Sequence, residues 1–452
     1  MEVASVEVAS VEVASVEVAS VEVASVEVAS VGVASGRDRA GTALPPLEID
    51  RVAVPPIEIV AARQSPDMLP LGMPPARFLR DYWQKRPLLI RGAFPDFVSP
   101  LSPEDLAGLA CEDAALSRLV LHDRKKDQWS LRNGPFAEDE FPGLPKHDWT
   151  LLVQDVDKWD VDVRALLSAF DFLPRWRLDD VMVSFAAPGG SVGAHVDHYD
   201  VFLLQAQGRR RWQISVDPDA PTDFRDDAEL KLLRTFAPTH EWLLAPGDML
   251  YLPPGVPHHG VAEDACLTFS IGMRAPSQAE MLVDFAEHLA DRLPEEARYA
   301  DPDLALPADS CEIDTAALAR VRIGLAALRC NDDAEFADWF GRYITAYRST
   351  SIAAPRRAPG NEAVRTALLG DGGLLRHPFA RMAWTRNRKS ARLFVNGESY
   401  AMPITAARML AATESIDATI FSALPVAAQD ALLALTARGI YRLQRIGKRG
   451  HR

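Results

Sequence analysis

Cysteine is scarce. Four residues, Cys111, Cys266, Cys311 and Cys330, are scattered through 452 positions with no C-x-x-C pair. That excludes a disulfide framework and points to a reducing compartment, the cytoplasm. No apolar run reaches the roughly 18 residues of a membrane-spanning helix, and no basic stretch followed by an apolar one opens the chain as a secretion signal would. Net positive charge is absent too. With 49 Lys and Arg against 63 Asp and Glu, the chain carries −14, which argues against a nucleic-acid binder because phosphates attract the opposite sign. Six of the glutamates sit in one N-terminal repeat, leaving about −8 (−14 + 6) for the rest, a mild acidity that suits a basic protein partner. The remaining composition, 48% hydrophobic and 25% charged, is that of a globular protein with room for several domains.

Residues 1–35 repeat the pentamer V-E-V-A-S, decaying to V-G-V-A-S near Val31. A period of five matches neither strand nor helix, so no steady apolar face forms. The segment is expected to be disordered, or to translate a DNA repeat ahead of the true start. A Pro- and Ala-rich linker follows to residue 65. Order is predicted from about Met68. A helix opens at Pro75 with Phe78, Tyr82 and Trp83 at helical spacing, then come a short strand at Pro87-Leu-Leu-Ile-Arg91 and more helix from about Ser102 to Leu119. From Val181 to Met273 short apolar strands, among them Phe202-Leu-Leu-Gln, Arg211-Trp-Gln-Ile and Met249-Leu-Tyr-Leu, alternate with Gly and Pro, the pattern of a barrel or sandwich. Past Pro276, Met281, Leu282, Phe285, Leu289 and Leu293 mark an amphipathic helix, and residues 314–348 hold two more. Residues 375–452 read as a small α+β unit: Arg392-Leu-Phe-Val, an Asn396-Gly397 hairpin turn, Ser399-Tyr-Ala-Met, two helices and a last strand near Ile440. Its tail has six basic residues, Arg438 to Arg452, and no acid.

The chemistry concentrates in Gly193-Ala-His195-Val-Asp197-His198-Tyr199-Asp200. Ligands spaced i, i+2 on a strand point to one side, as two ligands of one ion must. A third is available at Gly247-Asp248-Met-Leu-Tyr-Leu-Pro253-Pro-Gly255-Val-Pro-His258, 63 residues after His195, where proline and glycine make a rigid turn before the imidazole. That spacing resembles the second cupin motif, although Ala262 stands where Asn is usual. Two histidines and one carboxylate leave cis positions open and suit non-haem Fe(II). His198-x-Asp200 and His259 offer overlapping alternatives, but adjacent strand residues face opposite sides, so each pair supplies one productive set. Downstream of Gly208, alternation places Arg210, Trp212 and Ile214 on one face. An inward Arg there needs a buried anion, either the distal carboxylate of 2-oxoglutarate or an internal Asp.

These strings, with Phe78-Leu-Arg-Asp-Tyr-Trp-Gln-Lys-Arg-Pro-Leu-Leu-Ile-Arg-Gly-Ala-Phe94 and Gly208-Arg-Arg-Arg-Trp212, resemble the bacterial ribosomal oxygenases, a branch of the JmjC and cupin-like hydroxylases. The resemblance runs from about Met68 to the C-terminus. It implies an α+β protein, with a double-stranded β-helix of JmjC/cupin type, a helical dimerisation region and a C-terminal winged helix. The boundaries expected are residues 1–65 for repeat and linker, 66–275 for the barrel, 276–374 for the helical region and 375–452 for the winged helix. It further implies Fe(II), 2-oxoglutarate and O2, hydroxylation at the β-carbon of an arginine in a large-subunit ribosomal protein, and a homodimer. On this match His195, Asp197 and His258 hold iron, Arg210 and Ser184 hold 2-oxoglutarate, and His198 and His259 stand aside. Residues 180, 182 and 184 share a strand face, and Tyr199 shares that of His195 and Asp197. With the resemblance this implies that Asp180 accepts the guanidinium, Met182 and Tyr199 flank its stem, and Ser270 donates a hydrogen bond. Two rivals belong to other classes. One is a transcription regulator with a winged helix on DNA and a sensor barrel. The other is a cupin-type metal isomerase, in which Arg210 would be a structural ion pair.

Overall fold

A computed structural model describes residues 57–61, 70–306, 313–327, 332–346, 358–370 and 372–445, all within one compact unit from Val54 to Arg452. The pentamer repeat, most of the linker, Cys311 and Cys330 lie outside the described residues. Strand β1 (Glu58–Ala61) precedes helix α1 (Pro75–Asp81) and strand β2 (Leu88–Arg91). Helix α2 (Pro103–Ala110) begins at a capping box, Ser102 and Asp105 each accepting from the other's backbone N–H, which satisfies two orphan donors. The helix does not continue to Leu119. It stops at Ala110, and Ser117–Asp123 is strand β3, paired with β4 (Gln128–Asn133) and β5 (Trp149–Val153). Sheet partners tens of residues away decide that segment, not its local helical spacing.

Helices α3 (Val156–Trp159) and α4 (Val161–Ala165) lead into the barrel strands β6 (Leu178–Ala186), β7 (Val201–Gln207), β8 (Arg210–Ile214), β9 (His240–Leu244), β10 (Met249–Leu252), β11 (His258–Ala262) and β12 (Cys266–Met273). Nine strands form one sheet in the order β1-β2-β10-β7-β12-β6-β5-β3-β4, and β11-β8-β9 form a second. Leu89, Val201, Leu203, Leu250 and Leu252 of the large sheet pack with Trp212, Ile214 and Leu244 of the small one. The intervening residues Phe202, Leu204, Met249 and Tyr251 enter another core with Phe78, Tyr82 and Leu106 of the N-terminal segment. Burial on both faces explains why residues 201–204 of β7 and the whole of β10 read as apolar runs.

Helices α5 (Gln278–Ala290), α6 (Thr315–Ala327), α7 (Asp333–Thr345) and α8 (Asn361–Leu369) follow. The last unit contains β13 (Gly372–Arg376), β14 (Met382–Asn387), β15 (Ser390–Val395), β16 (Glu398–Met402), α9 (Ile404–Ala412), β17 (Ser415–Ile416), α10 (Ala418–Ala423), α11 (Val426–Ala437) and β18 (Tyr441–Arg445). Asn396 and Gly397, at φ of 44° and 84°, make the hairpin turn between β15 and β16, both residues in the region such turns demand. Three helices occur where two were expected, because Pro425 restarts the helix after α10. Val364, Leu368 and Leu374, all upstream of residue 375, belong to this core. Arg438 of the basic tail pairs with Glu398 at 2.6 Å. No helix among the described residues is long and apolar enough to cross a membrane.

Candidate active site

His195 and His258 are cross-strand partners. His195 N donates to His258 O at 3.0 Å, and His258 N donates to His195 O at 2.9 Å. Directly opposed residues put their side chains on one face, and the two ring centroids are 4.2 Å apart. The chain leaves the ladder immediately after His195, so Asp197 sits in irregular backbone instead of on the strand that the i, i+2 spacing implied. The Pro253–Pro257 turn holds it there. Gly255, at φ +82°, donates its N–H to Asp197 O at 2.8 Å, a backbone conformation glycine adopts without strain. Asp197 Oδ2 lies 3.9 Å from His195 Nε2 and 3.6 Å from His258 Nε2. The three ligand atoms fall within 4.8 Å of one another, and no other His, Cys, Asp or Glu group among the described residues is so arranged.

Backbone carbonyls fix the tautomers. His195 Nδ1 is 3.0 Å from Gly193 O, and His258 Nδ1 is 2.9 Å from Val256 O. A carbonyl only accepts, so each Nδ1 carries the proton and each Nε2 keeps a lone pair for a metal. Burial, reinforced by the neighbouring His195, keeps His258 neutral with its pKa lowered to about 4. Two imidazoles whose Nε2 atoms face one carboxylate fit the donor set of an iron(II) facial triad. His198 is exposed, and His259, facing away from its neighbour, rests edge-on against Phe236. Neither joins the cluster.

A cavity of ≈ 460 Å³ adjoins these three side chains and is also lined by Arg210, Ser184, Asp180, Met182, Tyr199 and Ser270. The residues expected to hold metal, cosubstrate and substrate therefore line one space, while His198 and His259 do not. Arg210 is 3% exposed. Its Nη2 donates to Gly260 O at 3.2 Å, Nη1 lies 3.4 Å from both Ser184 Oγ and Thr268 Oγ1, and the guanidinium stands 5.0 Å above the Trp212 ring. Among the described residues Nε has no hydrogen-bond partner, and no carboxylate pairs with the group. Burial pushes its pKa down. An interior cation without a counter-ion is costly, so the site calls for a small carboxylate, and among the described residues the ion pair that the isomerase reading required is not there. Gly260 must stay bare, since a Cβ would sit 2.7 Å from Arg210 Nε and 2.8 Å from the Trp212 ring.

Asp180, Met182 and Ser184 alternate along β6, with Ser270 opposite Met182 and Thr268 opposite Ser184 on β12. Thr268 was missed by the sequence reading, although its i, i+2 relation to Ser270 was a usable signal. Arg118 and Lys231 also line the cavity, and nothing near them in the sequence announces it. Asp180 is 8% exposed and accepts Asp155 N at 3.0 Å. Burial first, then the charges of Asp179, Asp155 and Asp157, raise its pKa to about 7. Tyr199 is 40% exposed as a residue, yet desolvation around its hydroxyl and then the Asp197 charge push that group up, so it stays protonated.

A JmjC domain model matches residues 165–281, and a ROXA-like winged-helix model matches residues 327–442. The chain is 38% identical to the ribosomal protein uL16 3-hydroxylase of Escherichia coli (strain K12) over 282 residues, which span 62% of this chain and 74% of that protein. It is 33% identical to the "Probable ribosomal oxygenase" of Haemophilus influenzae over 339 residues, 73% of this chain and 83% of the relative. The solved structure of YcfD, a ribosomal oxygenase from Escherichia coli in complex with cobalt and 2-oxoglutarate, superposes with a TM-score of 0.68 at 33% identity, covering 82% of this chain and 98% of that one. The barrel, its His-Asp-His cluster, the winged helix that follows and these relatives agree: the chain belongs to the ribosomal oxygenase family.

Proposed function

We propose that this chain is an iron(II)- and 2-oxoglutarate-dependent oxygenase that hydroxylates the β-carbon of an arginine in a large-subunit ribosomal protein. One observation carries the reading: a buried guanidinium with no carboxylate partner among the described residues shares a cavity with two histidines and an aspartate whose ligand atoms converge. The name of the Escherichia coli relative, a ribosomal protein uL16 3-hydroxylase, supports the substrate and the position oxidised. The cobalt and 2-oxoglutarate of the YcfD complex support the cofactors.

His195, Asp197 and His258 are assigned to the metal, Arg210 and Ser184 to the cosubstrate, and Asp180, Met182, Tyr199 and Ser270 to the substrate. Bound iron(II), 2-oxoglutarate and O2 supply the oxidising power, one oxygen atom entering the C–H bond and the other leaving in succinate as CO2 departs. The protein's own contribution is position. Arg210 would anchor the distal carboxylate and so orient the keto-acid end toward a metal held by the three ligands. Asp180 accepts the guanidinium, Met182 and Tyr199 flank the stem, and Ser270 donates a hydrogen bond. Val201, Leu203 and Trp212 give the cavity apolar walls. In the test, protein loaded with iron and 2-oxoglutarate without oxygen is given O2 and assayed for succinate with and without an arginine-bearing ribosomal-protein peptide. Peptide-dependent succinate is expected, and equal formation in both would remove the substrate assignment.

Asp180 pairs with a guanidinium as a carboxylate, yet in the free protein its pKa is raised to about 7. Below that pH the group is protonated and carries no charge for the substrate. Because kcat/KM reports free-enzyme groups, its value for the peptide is expected to rise through pH 7 and then level off. Asp180→Asn should flatten this limb, and a limb that survives the substitution belongs to another group.

The helical region is proposed to mediate a homodimer. Leu282 and Val283 on α5, and Ile323 and Leu325 on α6, are 67%, 59%, 71% and 65% exposed, an apolar display of the kind that marks interaction sites. Light scattering should give roughly twice the chain mass of 49.6 kDa, and a monomer at every concentration would contradict this. The cytoplasm, where ribosomal proteins are made and cysteines stay reduced, is the proposed location.

A further inference from the structure

Strand β6 carries Asp180 on a half that lacks a ladder on one side. Among the described residues β5 pairs with Val183 to Ala186 of β6 and no further, so the backbone groups from Leu178 to Met182 need other partners along that edge. Side chains supply them. Asp157 Oδ1, on α3, accepts Val181 N at 2.8 Å. Lys158 Nζ, held by Asp157, donates to Asp179 O at 3.3 Å. Arg381 Nη2 donates to the same carbonyl at 2.8 Å and also to the Asp179 carboxylate.

Arg381 comes from the segment matched as a winged helix, 202 residues away in the sequence. Its backbone is anchored in turn. The Arg381 N–H donates to Asn396 Oδ1 at 2.7 Å, at the start of the β15–β16 turn. The Arg381 side chain is 11% exposed and that of Asp179 21%. Two residues earlier, Phe379 packs edge-on against Trp159 of α3 with centroids 5.9 Å apart. The loop before β14 therefore grips the α3–β6 corner at two points, directly beside the residue that reaches the cavity.

We propose that Arg381 is a substrate-positioning residue: by fixing the carbonyl and carboxylate of Asp179 it sets where Asp180 meets the substrate guanidinium, which makes the winged-helix unit part of the substrate site. This rests on the reading of Asp180 as the guanidinium acceptor. Charge works in the same direction as geometry. Asp179 opposes ionisation of Asp180, as do Asp155 and Asp157, while Arg381 sits on Asp179 and Lys158 on Asp157, and the Tyr199 hydroxyl, which also feels Asp180, stays neutral.

The test uses the full chain, with KM for a ribosomal-protein arginine peptide and for 2-oxoglutarate measured side by side. Arg381→Ala is expected to raise the peptide KM about tenfold and to leave that of 2-oxoglutarate within about twofold. Arg381→Lys, which can still donate to the carbonyl, should recover part of the loss and covers the case that the alanine variant folds poorly. Combined with Asp180→Asn, Arg381→Ala should add no further rise, because it acts through a group already removed. Should both KM values rise together, Arg381 is a general structural contact and the proposal fails. If Asp180→Asn raises the peptide KM but neither Arg381 variant does, the positioning role is wrong and the assignment of Asp180 stands. An unchanged peptide KM in Asp180→Asn overturns that assignment, and the role of Arg381 with it.

Discussion

Replacing His258 by alanine is expected to strip the protein of firmly bound iron(II) and to lower peptide-dependent turnover by more than about a hundredfold. Changing the groups behind metal ligands already costs about ten- to a hundredfold, and His258 is a proposed ligand itself. Its lone pair is the most firmly aimed of the three. The ring is 2% exposed, its Nδ1 proton is committed to Val256 O at 2.9 Å, and burial keeps it neutral down to a pKa of about 4. No proton has to be displaced near neutrality before a metal binds. Metal content by elemental analysis and turnover should fall together. His259→Ala is the control, since that ring packs on Phe236 and lies outside the ligand group; it should keep most of its iron. Loss of metal in His259→Ala and retention in His258→Ala would exchange the two assignments.

Arg210→Met carries the second large effect, in two opposite directions. Without 2-oxoglutarate the guanidinium is an interior cation held by one carbonyl, two distant hydroxyls and a ring. Replacing such a group by an apolar one of similar shape is neutral or stabilising, so the melting temperature of the protein alone should hold or rise. With 2-oxoglutarate the same substitution leaves a buried carboxylate facing hydroxyls only. Breaking a buried pair by removing one partner costs about 3–5 kcal/mol, so KM for 2-oxoglutarate should rise by at least about a hundredfold, and the thermal shift on adding it should vanish. Arg210→Lys should fall between, because a point charge replaces a planar fork. A melting temperature that drops sharply in Arg210→Met without cosubstrate would make Arg210 a structural residue and weaken the cosubstrate assignment.

Much of this site was legible because it depends on short-range regularities. Two-residue alternation placed Arg210, Trp212 and Ile214 on one face of β8, and their burial alternates with that of Arg211 and Gln213. The same rule set Asp180, Met182 and Ser184 into the cavity. Glycine and proline around Pro253–Pro257 announced a rigid turn, and Gly255 at positive φ is what ties it to Asp197. The failures share a cause, which is that distant partners made the decision. Ser117–Asp123 carries residues compatible with a helix, but Leu119 finds Leu151 across a ladder. His195 and Asp197 converge through a single bridge and a turn contact, not along a strand. Thr268 matters because β12 sets it opposite Ser184. Arg381 and Asp179 meet across 202 residues, and no local pattern in either stretch encodes that meeting.

The convergence of His195, Asp197 and His258 on one ion with Arg210 across the cavity is tested most directly by optical titration. Iron(II)-loaded protein without oxygen is titrated with 2-oxoglutarate, and the charge-transfer absorption of the chelated cosubstrate is followed. Wild-type protein should develop the band and saturate near one equivalent, Arg210→Met should need far more cosubstrate, and Asp197→Ala should give no band. Iron-bound protein that shows no band at any concentration, or Asp197→Ala that titrates like the wild type, would contradict the site.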